Sequence, residues 1–116
     1  MNHFRYIKTA QVEEISGGDK DFLIELTDIF LGQIDDFTNK MADALQNENW
    51  DKLGKEAHTA KSSAMTFGMD DTGVLLKNIQ LQCEANELDA VPEMVHNAIA
   101  QLKGAIPELE AFKESI

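Results

Sequence analysis

The stretch WDKLGKEAHTAKSSAMTFG, residues 50–68, decides the reading of this chain. Leu53, Ala57, Ala60, Ala64 and Phe67 recur at steps of 4, 3, 4 and 3. That rhythm is one face of an α-helix set against a core. Gly68 follows, placed for the left-handed residue that ends a helix without a Cβ penalty. The same period governs the chain on both sides. Asp19 is a good N-cap for a long helix reaching about Asn47, with Phe22, Leu26, Ile29, Phe30, Gln33/Ile34, Phe37, Met41, Ala44 and Leu45 as its apolar positions. At 1.5 Å per residue that helix is roughly 40 Å long. Asn47-Glu48-Asn49 is a break. After Gly68 a helix from Asp70 or Asp71 to about Asn86 presents Val74, Leu75, Leu76, Ile79, Leu81, Cys83 and Leu88. A last helix opens after Asp89 with Pro92 in its first turn and presents Val95, Ile99, Leu102, Ile106, Leu109 and Phe112. Pro107 predicts a kink or a break there, since it cannot donate to the carbonyl of Lys103. A short helix over Thr9–Ile15, capped by Thr9 and burying Val12 and Ile15, precedes Ser16-Gly17-Gly18.

Four amphipathic helices with short connections imply an all-α, antiparallel up-down-up-down four-helix bundle, with the short N-terminal helix capping one end. At 116 residues, the whole of 1–116 is one domain, its four-helix core at about 19–106. The bundle says nothing of function by itself.

Composition narrows the function. Twenty-one acidic and ten basic residues leave a net charge of −11. A duplex nucleic-acid reader or an anionic-membrane binder needs clustered Lys and Arg, so neither fits. No apolar run approaches the ~20 residues of a membrane span, and the first ten residues lack the apolar stretch of a signal peptide. The single cysteine, Cys83, makes no internal disulfide, so cytoplasm is the expected compartment. Its expected place is the core.

His58 follows the core residue Ala57, so it is rotated about 100° from the seam and sits on the helix flank. Gly54 and Ser62 lie one turn before and after it. Both are small, which leaves the imidazole open to an approaching macromolecule; small residues in helices also permit close helix packing. Lys61, three residues on, is within reach of an anion on the ring. A neutral imidazole is a nucleophile near pH 7, and phosphorylation adds roughly two negative charges. Lys61 would offset that charge and Ser62 would donate a hydrogen bond. In an antiparallel hairpin His58 lies level with about Phe37 on one neighbouring helix and Gln80 on the other. Gln33, Asp36 and Lys40, and on the other side Lys77 and Gln80, are therefore site candidates, and an amide such as Gln80 would fix the ring's tautomer. Lys52, Lys55 and Lys61 face only Asp51 and Glu56 between Trp50 and Met69, a locally positive patch suited to an acidic partner. Lys55, Val12, Ile15 and Met65 are candidate docking residues.

The segment Ala57-His58-Thr59-Ala60-Lys61-Ser62-Ser63-Ala64-Met65-Thr66-Phe67-Gly68 resembles the signature of histidine-containing phosphotransfer (HPt) domains. That family has His, then Lys three later, a small residue after it, and a bulky apolar residue followed by Gly some ten positions on. The likeness covers about residues 9–105. Ala60 stands where Leu is common and Ser62 where Gly is commonest. The resemblance implies a four-helix bundle that takes a phosphoryl group from a receiver-domain aspartate onto His58 and passes it to another receiver aspartate. It implies partners among response regulators and hybrid histidine kinases, a polar residue from the next helix bonding the histidine, no kinase activity, and no cofactor or metal of its own, with Mg²⁺ on the partner. Consistently, no G-x-x-x-x-G-K-[ST] loop is present. A chain starting at Met1 with no linker points to a stand-alone protein, expected as a monomer.

Two rival readings have separate tests. Glu93-x-x-His96 has the spacing of a di-iron ligand pair, but a metal-carboxylate bundle needs a second such motif, and Lys55 stands three before His58. An interaction-only bundle that has lost its chemistry fits the helix pattern, but His58 and Lys61 are retained. His3 and His96 read as plain surface residues.

Overall fold

A computed structural model describes residues 3–116. It is all-helical among these residues: α1 (Ala10–Ser16), α2 (Lys20–Gln46), α3 (Trp50–Thr66), α4 (Asp70–Glu84) and α5 (Val91–Ser115). The four long helices form a closed ring, α2 on α3, α3 on α4, α4 on α5 and α5 on α2, with α1 packed on α2. The short connections make neighbours antiparallel, and the bundle is 43 Å long.

Local signals account for the breaks. The Asp19 carboxylate accepts from the Phe22 amide at 3.0 Å and starts α2. Asn49 does the same for α3 through the Lys52 amide. Gly68 has φ +70° and lets the chain turn from α3 into α4. A Cβ there would also lie 2.6 Å from the Lys8 carbonyl oxygen. Thr9 is at the N-cap of α1 without capping it; its hydroxyl donates to the Glu13 carboxylate instead.

The α3 seam is as its sequence predicts, with Leu53, Ala57, Ala60, Ala64 and Phe67 all buried. The Phe67 ring stacks on Phe30 of α2, centroids 4.8 Å apart. The α2 seam is displaced by one position in its first half. Leu23, Thr27 and Phe30 face the core, while Phe22 and Ile29 are exposed. Thr27 explains the shift: its hydroxyl donates to the Leu23 carbonyl at 2.8 Å, so the residue presents its methyl group and costs nothing inside. On α4 the buried set is Thr72, Gly73, Leu76, Ile79 and Cys83, leaving Val74 and Leu81 exposed. On α1 Val12 is fully buried, but Ile15 is 50% exposed; Ser16 takes the inward place, its hydroxyl closed onto the Glu13 carbonyl.

Pro107 does not break α5, which runs through it to Ser115. Pro107 and Lys103 are both exposed, so the carbonyl left without a donor is on the watered side of the helix. The next residue, Glu108, ties down the N-terminal segment. Its carboxylate accepts from the backbone amides of Arg5, Tyr6 and Ile7 at 2.9, 2.8 and 3.1 Å. Lys8 then donates to the Phe67 carbonyl at 2.8 Å, at the turn between α3 and α4. Charge-assisted bonds of this kind are worth about 1.5–3 kcal/mol when well buried; these are partly solvated. Glu108→Ala is expected to lower unfolding free energy by about 1–2 kcal/mol in urea titration, with far-UV circular dichroism unchanged.

Candidate functional site

His58 projects from the middle of α3 and is exposed. It borders an open groove of about 530 Å³ between α3 and α4, with Trp50, Gly54, Lys55 and Thr59 on one wall and Gln80, Cys83 and Glu84 on the other. The His58 Nδ1 lies 3.0 Å from the Gln80 Oε1. The Gln80 Nε2 donates to the Glu84 carboxylate at 3.0 Å. An amide oxygen only accepts, so Nδ1 carries the proton and donates. A neutral imidazole has one N–H, so the Nε2 lone pair is left free.

The close approach of α3 and α4 makes this contact possible. Gly54 is buried, and a Cβ on it would sit 3.4 Å from the Cys83 Cβ and 3.7 Å from the Gln80 carbonyl oxygen. Gly54 therefore faces α4 while also lining the groove beside His58, so its position serves close helix packing. At the far end of the same contact Met65 fills the space a Cβ on Gly73 would need, its Cγ 3.0 Å from that point. Met65 remains 39% exposed.

Ser62 is exposed and Lys61 half-buried, both on the His58 flank of α3. Among the described residues Lys61 makes no ion pair. Lys55 borders the groove but is paired with Asp51 at 3.0 Å, and Lys52 lies 3.9 Å from Asp43. With Glu84 added from α4, the surroundings of His58 are less positive than α3 alone implied. Lys77 is exposed and does not line the groove. Gln33 accepts from the Ser63 hydroxyl at 2.8 Å, joining α2 to α3 one turn below the site, and Asp36 pairs with Lys40. Val12 is fully buried and offers no docking surface, whereas Ile15 is exposed.

Glu84 was not among the candidate site residues read from the sequence. It lies four residues from Gln80, so the i, i+4 relation carried the signal once Gln80 was named. Cys83 is in the core as expected, and burial first, then the Glu84 charge, pushes its thiol pKa up. Glu93 and His96 are both exposed on α5. Among the described residues no three His, Cys, Asp or Glu side chains gather to hold a metal. No helix there is long and apolar enough to cross a membrane.

A family model described as "Hpt domain" matches residues 25–112, three quarters of the chain. The chain belongs to the Hpt domain family. Hpt proteins are histidine phosphotransfer intermediates rather than kinases, and this chain is a histidine phosphotransfer protein. The crystal structure of histidine-containing phosphotransfer protein B (HptB) from Pseudomonas aeruginosa PAO1 has the same fold, with a TM-score of 0.87 over 96% of each chain at 14% identity. No curated protein matches.

Burial separates two positions of this Hpt domain that look equivalent in sequence. Gly54→Leu must part α3 from α4 and is expected to cost about 1–3 kcal/mol in thermal or urea unfolding. Ser62→Gln points into solvent and is expected to leave the midpoint unchanged.

Proposed function

We propose that His58 is the phosphorylated residue and that its Nε2 carries the phosphoryl group between receiver-domain aspartates. The observation that supports this reading best is the pairing of an exposed ring with a tethered Nδ1. The tether to Gln80 leaves one nitrogen nucleophilic and turned away from the bundle. In the forward step the Nε2 lone pair attacks the phosphorus of an aspartyl phosphate. The N–P bond forms as the P–O bond to the aspartate breaks, and the electron pair leaves on the carboxylate. The ring becomes cationic, keeping its Nδ1 proton against the Gln80 oxygen. Transfer onward is the reverse of this step with a second receiver.

The partner supplies the rest of the chemistry: its acidic residues, its Mg²⁺ and the in-line approach. This chain contributes position, which is the larger part of a phosphoryl transfer. Lys61, unpaired among the described residues, offsets charge on the transferred group, and Ser62 donates to it. The exposed Met65 and Ile15 meet the receiver, along with Lys55. The protein acts as a cytoplasmic monomer, without a cofactor of its own, in a two-component phosphorelay.

Incubation with a phosphorylated receiver domain tests this. His58→Gln is expected to abolish transfer of label while leaving helical content intact; label retained by that variant overturns the assignment. The labelled wild type is expected to lose phosphate in acid and keep it in base, as a phosphoramidate does. Lys61→Ala is expected to slow transfer or shorten the phosphohistidine lifetime several-fold, as removal of an exposed charge pair worth about 0.2–1 kcal/mol requires, with no change in unfolding midpoint.

A further inference from the structure

The tether on His58 works only if Gln80 presents its oxygen. A glutamine amide is two-faced. Turned by 180°, it would offer its NH₂ to Nδ1 in the same place and at the same distance. Nδ1 would then accept, the single ring proton would move to Nε2, and the outward nitrogen would no longer have a lone pair. Something has to choose between these two arrangements, and neither Gln80 nor His58 can do so alone.

We propose that Glu84 makes that choice and is a positioning residue for the phosphoacceptor nitrogen. Its carboxylate lies 3.0 Å from the Gln80 Nε2. An ionised carboxylate has acceptor sites only, so the amide can approach it only with its NH₂. The oxygen is thereby directed to His58, 3.0 Å from Nδ1. The chain Glu84, Gln80, His58 runs in one direction. Each member donates to the one nearer Glu84, and the final consequence is a free Nε2. The charge-assisted bond at its base is the stronger kind. Residues 80 and 84 are one turn apart on α4, so the arrangement needs no long-range order beyond a formed helix. Glu84 is exposed and lines the groove beside His58, yet among the described residues it pairs with no lysine. Its carboxylate is therefore available to the amide.

The inference rests on His58 being the phosphorylated residue for its functional consequence, but not for its structural content. The tautomer of His58 in the unphosphorylated protein without any partner reads the structural content directly. Long-range ¹H–¹⁵N correlation of the imidazole ring reports it, at a pH where titration shows the ring neutral in every variant. The wild type is expected to hold its proton on Nδ1. Glu84→Lys replaces an acceptor by a donor of three hydrogens. The introduced ammonium takes the Gln80 oxygen, the amide reverses, and the proton is expected on Nε2. Glu84→Gln accepts or donates with equal ease, so a mixture is expected. Adding Gln80→Glu to Glu84→Lys restores an acceptor-only group next to His58, paired now with the introduced lysine, and is expected to return the proton to Nδ1. A disturbance of the helix or of the surface charge would not reverse and recover in this pattern.

Transfer from a phosphorylated receiver is expected to fall in Glu84→Lys by roughly 2- to 10-fold, the population change that one hydrogen bond commands, and to recover in the double variant. A wild-type tautomer in Glu84→Lys overturns the inference. So does a reversed tautomer with transfer at the wild-type rate, provided His58→Gln still abolishes labelling. If label persists in His58→Gln while the tautomer reverses and recovers as described, the orientation of the ring by Glu84 stands and the assignment of His58 as phosphoacceptor falls.

Discussion

The close approach of α3 and α4 is the constraint on which the site depends. Two glycines permit it. Gly54 on α3 faces the Cβ of Cys83, and Gly73 on α4 gives its missing Cβ's space to Met65. Apolar burial drives the four helices together without regard to which pair is tightest. The missing side chains at these two positions leave room in the α3–α4 contact, which is the most extensive of the ring. It brings a glutamine on one helix within hydrogen-bond distance of a histidine on the other. A residue of ordinary bulk at position 54 would hold Gln80 away and leave the imidazole to rotate.

Everything else at the site is arranged on the rim of that contact. The core below is satisfied: among the described residues no buried side-chain polar atom lacks a partner. The buried threonines of α2 close their hydroxyls on their own helix, 2.8 Å for Thr27 and 2.9 Å for Thr38. The polar atoms that do reach across helices near the site, Gln80 to His58 and Ser63 to Gln33, are at its edge, the first exposed and the second part-buried. This division suits the role proposed for His58, a ring held still and presented to a partner.

Charge at the site is more balanced than net charge or a single helix would indicate. Lysines 52 and 55 are each drawn to an aspartate, and Glu84 adds a negative charge from the neighbouring helix. Lys61 is left as the cation one turn from His58. A phosphoryl group arriving on Nε2 would meet that cation on one side and a carboxylate engaged with an amide on the other. Electrostatic steering of the partner then depends on few residues and is sensitive to salt.

The order of the helices, their ends apart from the run of α5 through Pro107, the whole inward seam of α3 and the exposed place of His58 were legible from residue spacing, because helical period and capping chemistry are local. The likeness around His58 and Lys61 carried the family. Three features were not legible. Phe22, Ile29, Val74, Leu81 and Ile15 look like core residues to any hydrophobicity count, but they are exposed; Thr27, Gly73 and Ser16 are among the residues that face inward beside them, and Ile79 and Cys83 do so beside Leu81. That Gly54 packs against α4 could be read only from the position of α4. Glu84 carried no mark of its own as a site residue; it acquires one because Gln80 lies between it and His58, and that alignment exists only once α3 and α4 lie side by side. Period and caps are written along one strand of chain, whereas the facing of two helices is settled by how all four share one core.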